Sequence, residues 1–189
     1  MRRPALAILA ATSAVLASTG CGRERLPAPD VEEPVVTRAL AEREFPRAGL
    51  RLSLPVPWSD ARGQPPLVVQ STSGTAAMAV WRYPRSEPLP DDDAELDTAR
   101  EALLRAVRER DTDYREISTR RIEVDGEPAL ELVGDQRIAG KPRRVRSTHV
   151  FAHGGEVVVD QYAEQADFAR LDEAVFQPFV RAVRLRAPR

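Results

Sequence analysis

Residues 114–162 read YREISTRRIEVDGEPALELVGDQRIAGKPRRVRSTHVFAHGGEVVVDQY, and this stretch decides the fold. Three short turn sequences divide it: Asp125-Gly126, Gly140-Lys141-Pro142 and His153-Gly154-Gly155. An Asp-Gly pair between two runs of strand-forming residues is a typical signal of a tight hairpin. The stretch therefore predicts four strands in an antiparallel meander, over residues 114–124, 128–138, 143–151 and 156–162.

Shorter strands and one helix are predicted before the meander. Leucine alternates with polar residues over 50–54, which predicts a half-buried strand, and apolar runs at 67–70 and 76–83 predict two more. Asp91-Asp92-Asp93 then precedes a predicted helix that ends at Arg110. Carboxylates are favoured at a helix start by the free N–H groups and the helix dipole. The apolar positions of this helix are Leu96, Ala99, Leu103, Leu104 and Val107.

A second helix is predicted after the meander, over residues 167–183. Its apolar stripe consists of Phe168, Leu171, Val175, Phe179 and Val183. Pro178 lies inside this pattern and has no N–H group for the helical hydrogen bond, so a kink or break near Gln177 is predicted. A short end strand over 183–186 is also a candidate.

Two short motifs resemble the PsbP-like family, including the LpqN-type bacterial lipoproteins. One is GLRLSLP at residues 49–55, which leads to Trp58, and the other is VDGEPA at residues 124–129. The resemblance covers roughly residues 45–186. It implies an α+β fold in which an antiparallel β-sheet carries helices on both faces, an α/β/α sandwich. It also implies a binding or assembly protein, because the family has no shared catalytic centre.

The N-terminus resembles the signal of bacterial lipoproteins. Arg2 and Arg3 precede an uncharged apolar run over residues 5–17, which is shorter than the roughly 20 residues that a membrane-spanning helix needs. Gly20 and Cys21 follow. The resemblance implies cleavage after Gly20 and attachment of lipid, with palmitate-type acyl chains, to Cys21. The mature protein would then be lipid-anchored at the cell membrane or outer membrane, facing outside the cytoplasm.

Ser18 is the one departure from that signal, since the position three before the cysteine is usually leucine. Two alternatives stay open: an ordinary secretory signal with an incidental cysteine, and an N-terminal anchor that is not cleaved. Residues 22–44 are rich in proline and charge and poor in large apolar side chains. We therefore expect a signal peptide over 1–21, a flexible tether over 22–44 with at most a short helix at its end, and one domain over 45–189.

Composition excludes several classes of protein. The 189 residues contain 28 basic and 29 acidic side chains, without the basic excess that is typical of nucleic-acid binding. A single cysteine excludes an internal disulfide and a cysteine-rich zinc site. We therefore expect no nucleic-acid partner.

The motifs of enzymes and cofactor sites are missing. There is no Walker A loop, no Gly-x-Gly-x-x-Gly and no Gly-x-Ser-x-Gly. His149 and His153 have the spacing of half a metal site, but no third ligand stands nearby in the sequence. Helix capping accounts for Asp91-Asp92-Asp93, which lacks the spacing of a calcium loop. We expect neither catalysis nor a metal or other cofactor.

One hairpin is strongly basic. Its cations are Arg137, Lys141, Arg143, Arg144 and Arg146. Such a cluster suggests an anion-binding or partner-binding face, for an envelope protein or an anionic polymer. The alternative is a solvated sheet edge, whose charges discourage aggregation.

Two functions follow from these features. The first is a lipid-anchored envelope lipoprotein that acts as a non-enzymatic binding or assembly module. The second is a carrier of a small apolar ligand or lipid, in a pocket between sheet and helix that would be lined by residues such as Trp58, Trp81 and Phe168.

Overall fold

The computed structural model describes residues 33–189. The predicted signal peptide, its cleavage site at Gly20, the lipid attachment at Cys21 and the first part of the predicted tether lie outside these residues. The strands of the described chain are β1 Leu40–Phe45, β2 Leu50–Pro55, β3 Ser59–Arg62, β4 Leu67–Ser73, β5 Ala76–Pro84, β6 Arg115–Val124, β7 Glu127–Ile138, β8 Lys141–Ala152, β9 Gly155–Ala163 and β10 Arg184–Leu185. Its helices are α1 Asp93–Arg110, α2 Gln165–Leu171 and α3 Gln177–Ala182, with a 3₁₀ turn at Pro46–Ala48 and a π-helical segment at Asp172–Phe176.

The large sheet is antiparallel throughout. Within residues 33–189 its strand order is β3-β4-β5-β9-β8-β7-β6, and a smaller sheet has the order β1-β2-β10. The predicted meander is confirmed, since β6, β7, β8 and β9 pair in chain order. The first hairpin turns at Asp125 and Gly126, whose φ angles of 54° and 83° are both positive, as a tight turn between twisted strands requires.

Helix α1 covers one face of the large sheet. Leu96 of the helix packs against Leu130, Leu132 and Phe151 of the sheet. The Asp92 carboxylate accepts the backbone N–H of Glu95 at 2.9 Å, so the aspartate run does cap the helix. The apolar stripe and the cap that the sequence predicted therefore define this layer.

The opposite face carries the C-terminal helices and the main core. Phe168, Leu171 and Phe176 pack there against buried residues of the sheet such as Val150 and Val159. The predicted break is confirmed in position and takes the form of the π-helical segment, which ends immediately before Gln177 and Pro178. Because Pro178 cannot donate the usual helical hydrogen bond, the backbone changes its bonding pattern just before it.

Two elements differ from the prediction. Strand β1 begins at Leu40, inside the range 22–44 that the sequence assigned to the tether, and it pairs along the whole of β2. The chain before it also contacts the domain, since the Trp58 indole N–H donates to the Val35 carbonyl at 2.8 Å. Strand β3, with the exposed sequence SDAR, was not predicted at all. Both are edge strands, so neither shows the apolar alternation of a buried strand.

Candidate functional site

An open groove runs along the edge where the two sheets meet. Its walls are the end of β1 with the following 3₁₀ turn, the segment that joins β3 to β4, and the end of β5. The cavity measures about 970 Å³. Its apolar lining consists of Phe45, Pro46, Ala48, Pro65, Pro66, Leu67, Val68 and Pro84. We call this cavity the edge groove.

Arg82 lines the edge groove from strand β5 and is only 8% exposed. Its Nη2 donates to the carbonyls of Ala152 at 3.0 Å and His153 at 2.9 Å. Its Nη1 is buried and has no hydrogen-bond partner within residues 33–189. No carboxylate of the described chain lies within ion-pair distance of this guanidinium, and burial lowers the pKa of Arg82.

Gly155 makes room for this arginine. A Cβ at position 155 would lie 2.8 Å from the Tyr83 carbonyl oxygen and 2.9 Å from Arg82 Nε. Any side chain there would push against the guanidinium and the β5 backbone. The fold therefore contains a specific space for the head of Arg82.

Two further arginines lie at the rim of the edge groove. The Arg62 guanidinium stacks over the Phe45 ring at 5.6 Å from its centroid, and Arg47 lines the same cavity. Neither has an ion pair within residues 33–189. The acid of the lining is Glu44, whose Oε1 accepts from Arg51 Nη2 at 2.9 Å. The groove therefore combines apolar walls with an excess of positive charge.

The predicted basic hairpin is arranged differently. Arg144 and Arg146 lie two apart on β8 and so point to one face of the sheet, while Arg143 points to the other. Arg144 donates two hydrogen bonds to the Asp135 carboxylate, of 2.8 and 3.0 Å. Arg146 makes two bonds of 2.6 Å to Asp172 and a second ion pair with Glu131.

Arg146 is the most deeply buried of these cations, at 4% exposure. Burial would lower its pKa, but the hydrogen bonds that Arg146 donates to the carboxylates of Asp172 and Glu131 outweigh that cost, and the pKa lies above its ordinary value. Glu131 also accepts from Arg120 Nε at 2.7 Å. Buried Arg146 and Glu131, together with Asp172 and the exposed Arg120, tie β6, β7 and β8 to the π-helical segment.

The remaining cations of the hairpin are partly engaged. Arg143 Nη1 donates to Glu164 at 3.1 Å, and Arg137 donates to the Gly140 carbonyl at 2.8 Å and contacts Asp113 at 3.3 Å. Lys141 is exposed and has no ion pair within the described chain. The five cations thus do not form one free face, and the anion-binding role of the hairpin stays a prediction that rests on Lys141 and Arg137.

A chain of polar side chains joins β8 to β9 on the α1 face. Ser147 Oγ lies 3.0 Å from His149 Nε2, and His149 Nδ1 lies 2.7 Å from Glu156 Oε1. These atoms match a Ser-His-acid triad in type, but Ser147 Oγ donates to Asp160 at 2.6 Å. Strand β8 is also paired on both sides, so its amides offer no oxyanion site.

Glu156, the last of these hydrogen-bonded side chains, also contacts the loop after β5. Arg85 Nε donates to Glu156 Oε2 at 3.1 Å from the loop after β5. Burial would raise the pKa of Glu156, but the hydrogen bonds to His149 and Arg85 outweigh it, and the pKa is lowered. These hydrogen bonds therefore connect β8, β9 and that loop.

His153 does not join His149. It lies at the β8–β9 turn with a φ of 50°, and its Nε2 is 3.9 Å from Glu127. Among residues 33–189, no group of three or more histidine, cysteine or acidic side chains is arranged to hold a metal ion.

The aromatic residues assigned to a carrier pocket do not line one. The Trp58 ring packs edge-on against the Phe176 ring, with 6.3 Å between the centroids. The Phe168 ring lies 5.8 Å from the Phe176 ring, inside the main core. Trp81 instead stacks on Tyr83 at 6.5 Å. The predicted position of the pocket is therefore wrong for these core aromatic residues, and the edge groove is an apolar cavity outside the sheet-helix interface.

None of the helices in the described part of the chain combines the length and apolar character needed to cross a membrane.

Comparison with known proteins identifies the fold. No protein-family model matches the sequence, and neither does any curated protein. The solution structure of CyanoP, the cyanobacterial PsbP of Synechocystis, is similar with a TM-score of 0.60 and 12% identity, over 80% of this chain and 95% of that one. A protein of unknown function from Pseudomonas aeruginosa, described as a putative regulator, has a TM-score of 0.51 and 14% identity, over 78% and 97% of the two chains.

A third similar structure is LpqN of Mycobacterium tuberculosis, described as involved in cell envelope biogenesis. Its TM-score is 0.47 and its identity 13%, over 71% of this chain and 81% of LpqN. At these identities a likeness establishes the fold alone. The chain has the PsbP-like α+β fold that the motifs at 49–55 and 124–129 predicted.

Proposed function

We propose that this protein is a non-enzymatic binding module of the cell envelope, anchored by lipid on Cys21. The edge groove is the observation that carries the binding role. It is an open, mostly apolar cavity next to a buried arginine that has no carboxylate partner within residues 33–189. The serine and histidine of the polar chain, by contrast, are held in a paired strand without an oxyanion site.

The sequence supports the anchored location. The cysteine follows the apolar run of residues 5–17 and is the only cysteine in the chain. Diacylation gives stable membrane attachment because each buried CH₂ contributes roughly 0.8 kcal/mol and a single chain binds only marginally. A partner on the basic hairpin is a separate proposal, confined to Lys141 and Arg137.

Labelling of the full chain in a bacterial host tests the anchor. We expect a palmitate analogue to label the wild-type protein, and detergent phase partitioning to place it with the membrane fraction. Cys21→Ala should abolish both. Ser18→Leu is the matched control, because it moves the signal toward the usual pattern and should keep the label. Absence of label from wild type, or unchanged partitioning of Cys21→Ala, would refute the anchor.

The carrier function is a second candidate. Its apolar ligand would lie in the edge groove and not at the sheet-helix interface. Calorimetric titration with amphiphiles tests this function.

A further inference from the structure

We infer that the edge groove binds a single-chain amphiphile with one anionic headgroup, with the anion facing Arg82 and the chain lying on the apolar walls. This inference deepens the proposed binding role and rests on it. It supplies the chemical class of ligand that the shape of the groove leaves open.

Arg82 is a buried cation without a counter-charge in the described chain. A buried guanidinium ordinarily has carboxylate or hydrogen-bond partners for its donors, because an uncompensated buried charge is costly. Arg82 uses Nη2 for two carbonyls and leaves Nη1 without a partner in the described chain. An anion in the edge groove would supply the counter-charge that this guanidinium lacks in the described chain.

The lining of the edge groove carries an excess of positive charge. Arg62 and Arg47 add two cations at the rim, while Glu44 is bound to Arg51 and does not neutralise them. Arginine is well suited to carboxylate and phosphate groups, because its planar donors match their oxygens. The headgroup is therefore anionic. A carboxylate and a phosphate can both accept the hydrogen bonds that arginine side chains donate.

The walls of the edge groove are mostly apolar. Pro65, Pro66, Leu67 and Val68 contribute to the apolar lining of the cavity, together with Phe45 and Pro46. A volume of about 970 Å³ lies at the upper end of the range of roughly 300–1,000 Å³ for small-molecule sites. The occupant therefore has a sizeable apolar body, and its size is that of a lipid-like molecule with one chain.

Calorimetric titration of the full chain with Cys21→Ala tests this inference, since that variant removes the protein's own acyl groups as competitors. The probes are dodecanoate, dodecyl phosphate, dodecanol and inorganic phosphate, each below its micelle concentration. We expect the two anionic amphiphiles to bind at least about tenfold more tightly than dodecanol or inorganic phosphate, because a charge-assisted hydrogen bond is lost in one and the apolar contact in the other. A preference between dodecanoate and dodecyl phosphate would distinguish a fatty acid from a phosphate lipid as the natural source.

Variants locate the site. Arg82→Met should weaken dodecanoate binding about tenfold, and Arg62→Gln should weaken it by a smaller factor because that side chain is exposed. Arg105→Gln on α1, an exposed arginine outside the edge groove, is the control and should bind like the parent. Circular dichroism checks that Arg82→Met is folded, and Arg62→Gln keeps the test valid if it is not.

Three results would overturn the inference: no binding of either anionic amphiphile, equal binding of dodecanol, or full affinity in both arginine variants. Each leaves the labelling of Cys21 untouched, so a failure here is distinguishable from a failure of the anchor.

Discussion

Arg146 in the basic hairpin and Arg82 at the edge groove are both buried arginines, but their surroundings are opposite. Two carboxylates, Asp172 and Glu131, surround Arg146, and their hydrogen bonds raise its pKa in spite of burial. Arg82 has two carbonyls and no carboxylate within residues 33–189, and burial lowers its pKa. Arg146 stabilises the fold through ion pairs, whereas Arg82 is a buried cation without a counter-charge in the described chain.

This difference shows that the density of cations along a sequence does not identify a binding site. The hairpin has five cations in ten residues, yet most of them contact acids brought from other elements. The edge groove collects its cations from β3, β5 and a 3₁₀ turn, which lie far apart in the chain. What matters for binding is which charges remain without partners after folding.

The strongest test of this contrast is Arg146→Met. Removal of the guanidinium would leave Glu131 and Asp172 buried without their main counter-charge, and breaking a buried pair in this way costs about 3–5 kcal/mol. We expect the free energy of unfolding, measured by urea titration, to fall by that amount. Arg144→Met, at the more exposed pair with Asp135, is the matched control and should lose about 1 kcal/mol or less. Equal losses in the two variants would contradict a special role for the buried cluster.

The pH dependence of stability is the next test, because it reports on carboxylates that are already paired. The hydrogen bond from Arg144 lowers the pKa of Asp135 against the opposing effect of burial, and the pKa of Glu156 is also lowered. A group whose pKa is lower in the folded state stabilises the fold above its unfolded value, near 4, and loses this contribution as pH falls through the folded value.

We therefore expect the free energy of unfolding to decrease steadily below about pH 4. Asp135→Asn should flatten this decrease, since one of the titrating carboxylates is gone. Urea titrations at several pH values provide the measurement. Identical pH profiles for the parent and Asp135→Asn would show that the Arg144 pair contributes nothing.

Arg82→Met should have a smaller effect on stability than Arg146→Met, although both side chains are buried. Two hydrogen bonds to the carbonyls of Ala152 and His153 are lost, but the cost of burying an unpaired charge disappears with them. We expect a net loss of about 1 kcal/mol in urea titration. A loss as large as that of Arg146→Met would mean that the described chain already satisfies Arg82, and the contrast between the two regions would fail.

Much of the fold follows from the sequence, because local chemistry decides those elements. The Asp125-Gly126 turn, the Asp92 cap and the break before Pro178 each depend on residues within a few positions. Strands β1 and β3 were missed for the opposite reason. They lie at sheet edges, so their residues carry charge instead of apolar alternation, and they form because a neighbouring strand offers its hydrogen bonds.

The candidate site was less accessible to sequence reasoning. Arg82 follows the apolar run of β5, and nothing in that run shows whether a carboxylate from elsewhere will meet it. The same limit applies to Arg146, whose partner Asp172 is 26 residues away in the chain. An arginine next to buried strand residues is a weak signal, and its meaning depends on long-range contacts that the pattern does not contain.

Lys141→Gln gives the smallest expected effect, and it tests a cation of the hairpin that has no ion pair in the described chain. Lys141 is exposed and has no ion pair in the described chain, so its removal should change the free energy of unfolding by no more than about 0.5 kcal/mol. It should also leave dodecanoate binding intact, since it lies outside the edge groove. Charge reversal at Arg146 would disturb the fold and the surface together, so Lys141 is the residue at which a surface role of the hairpin can be measured cleanly. If Lys141→Gln weakened the binding of an anionic amphiphile as strongly as Arg82→Met, the ligand would be held by general positive charge, and the distinction between satisfied and unsatisfied arginines would lose its functional meaning.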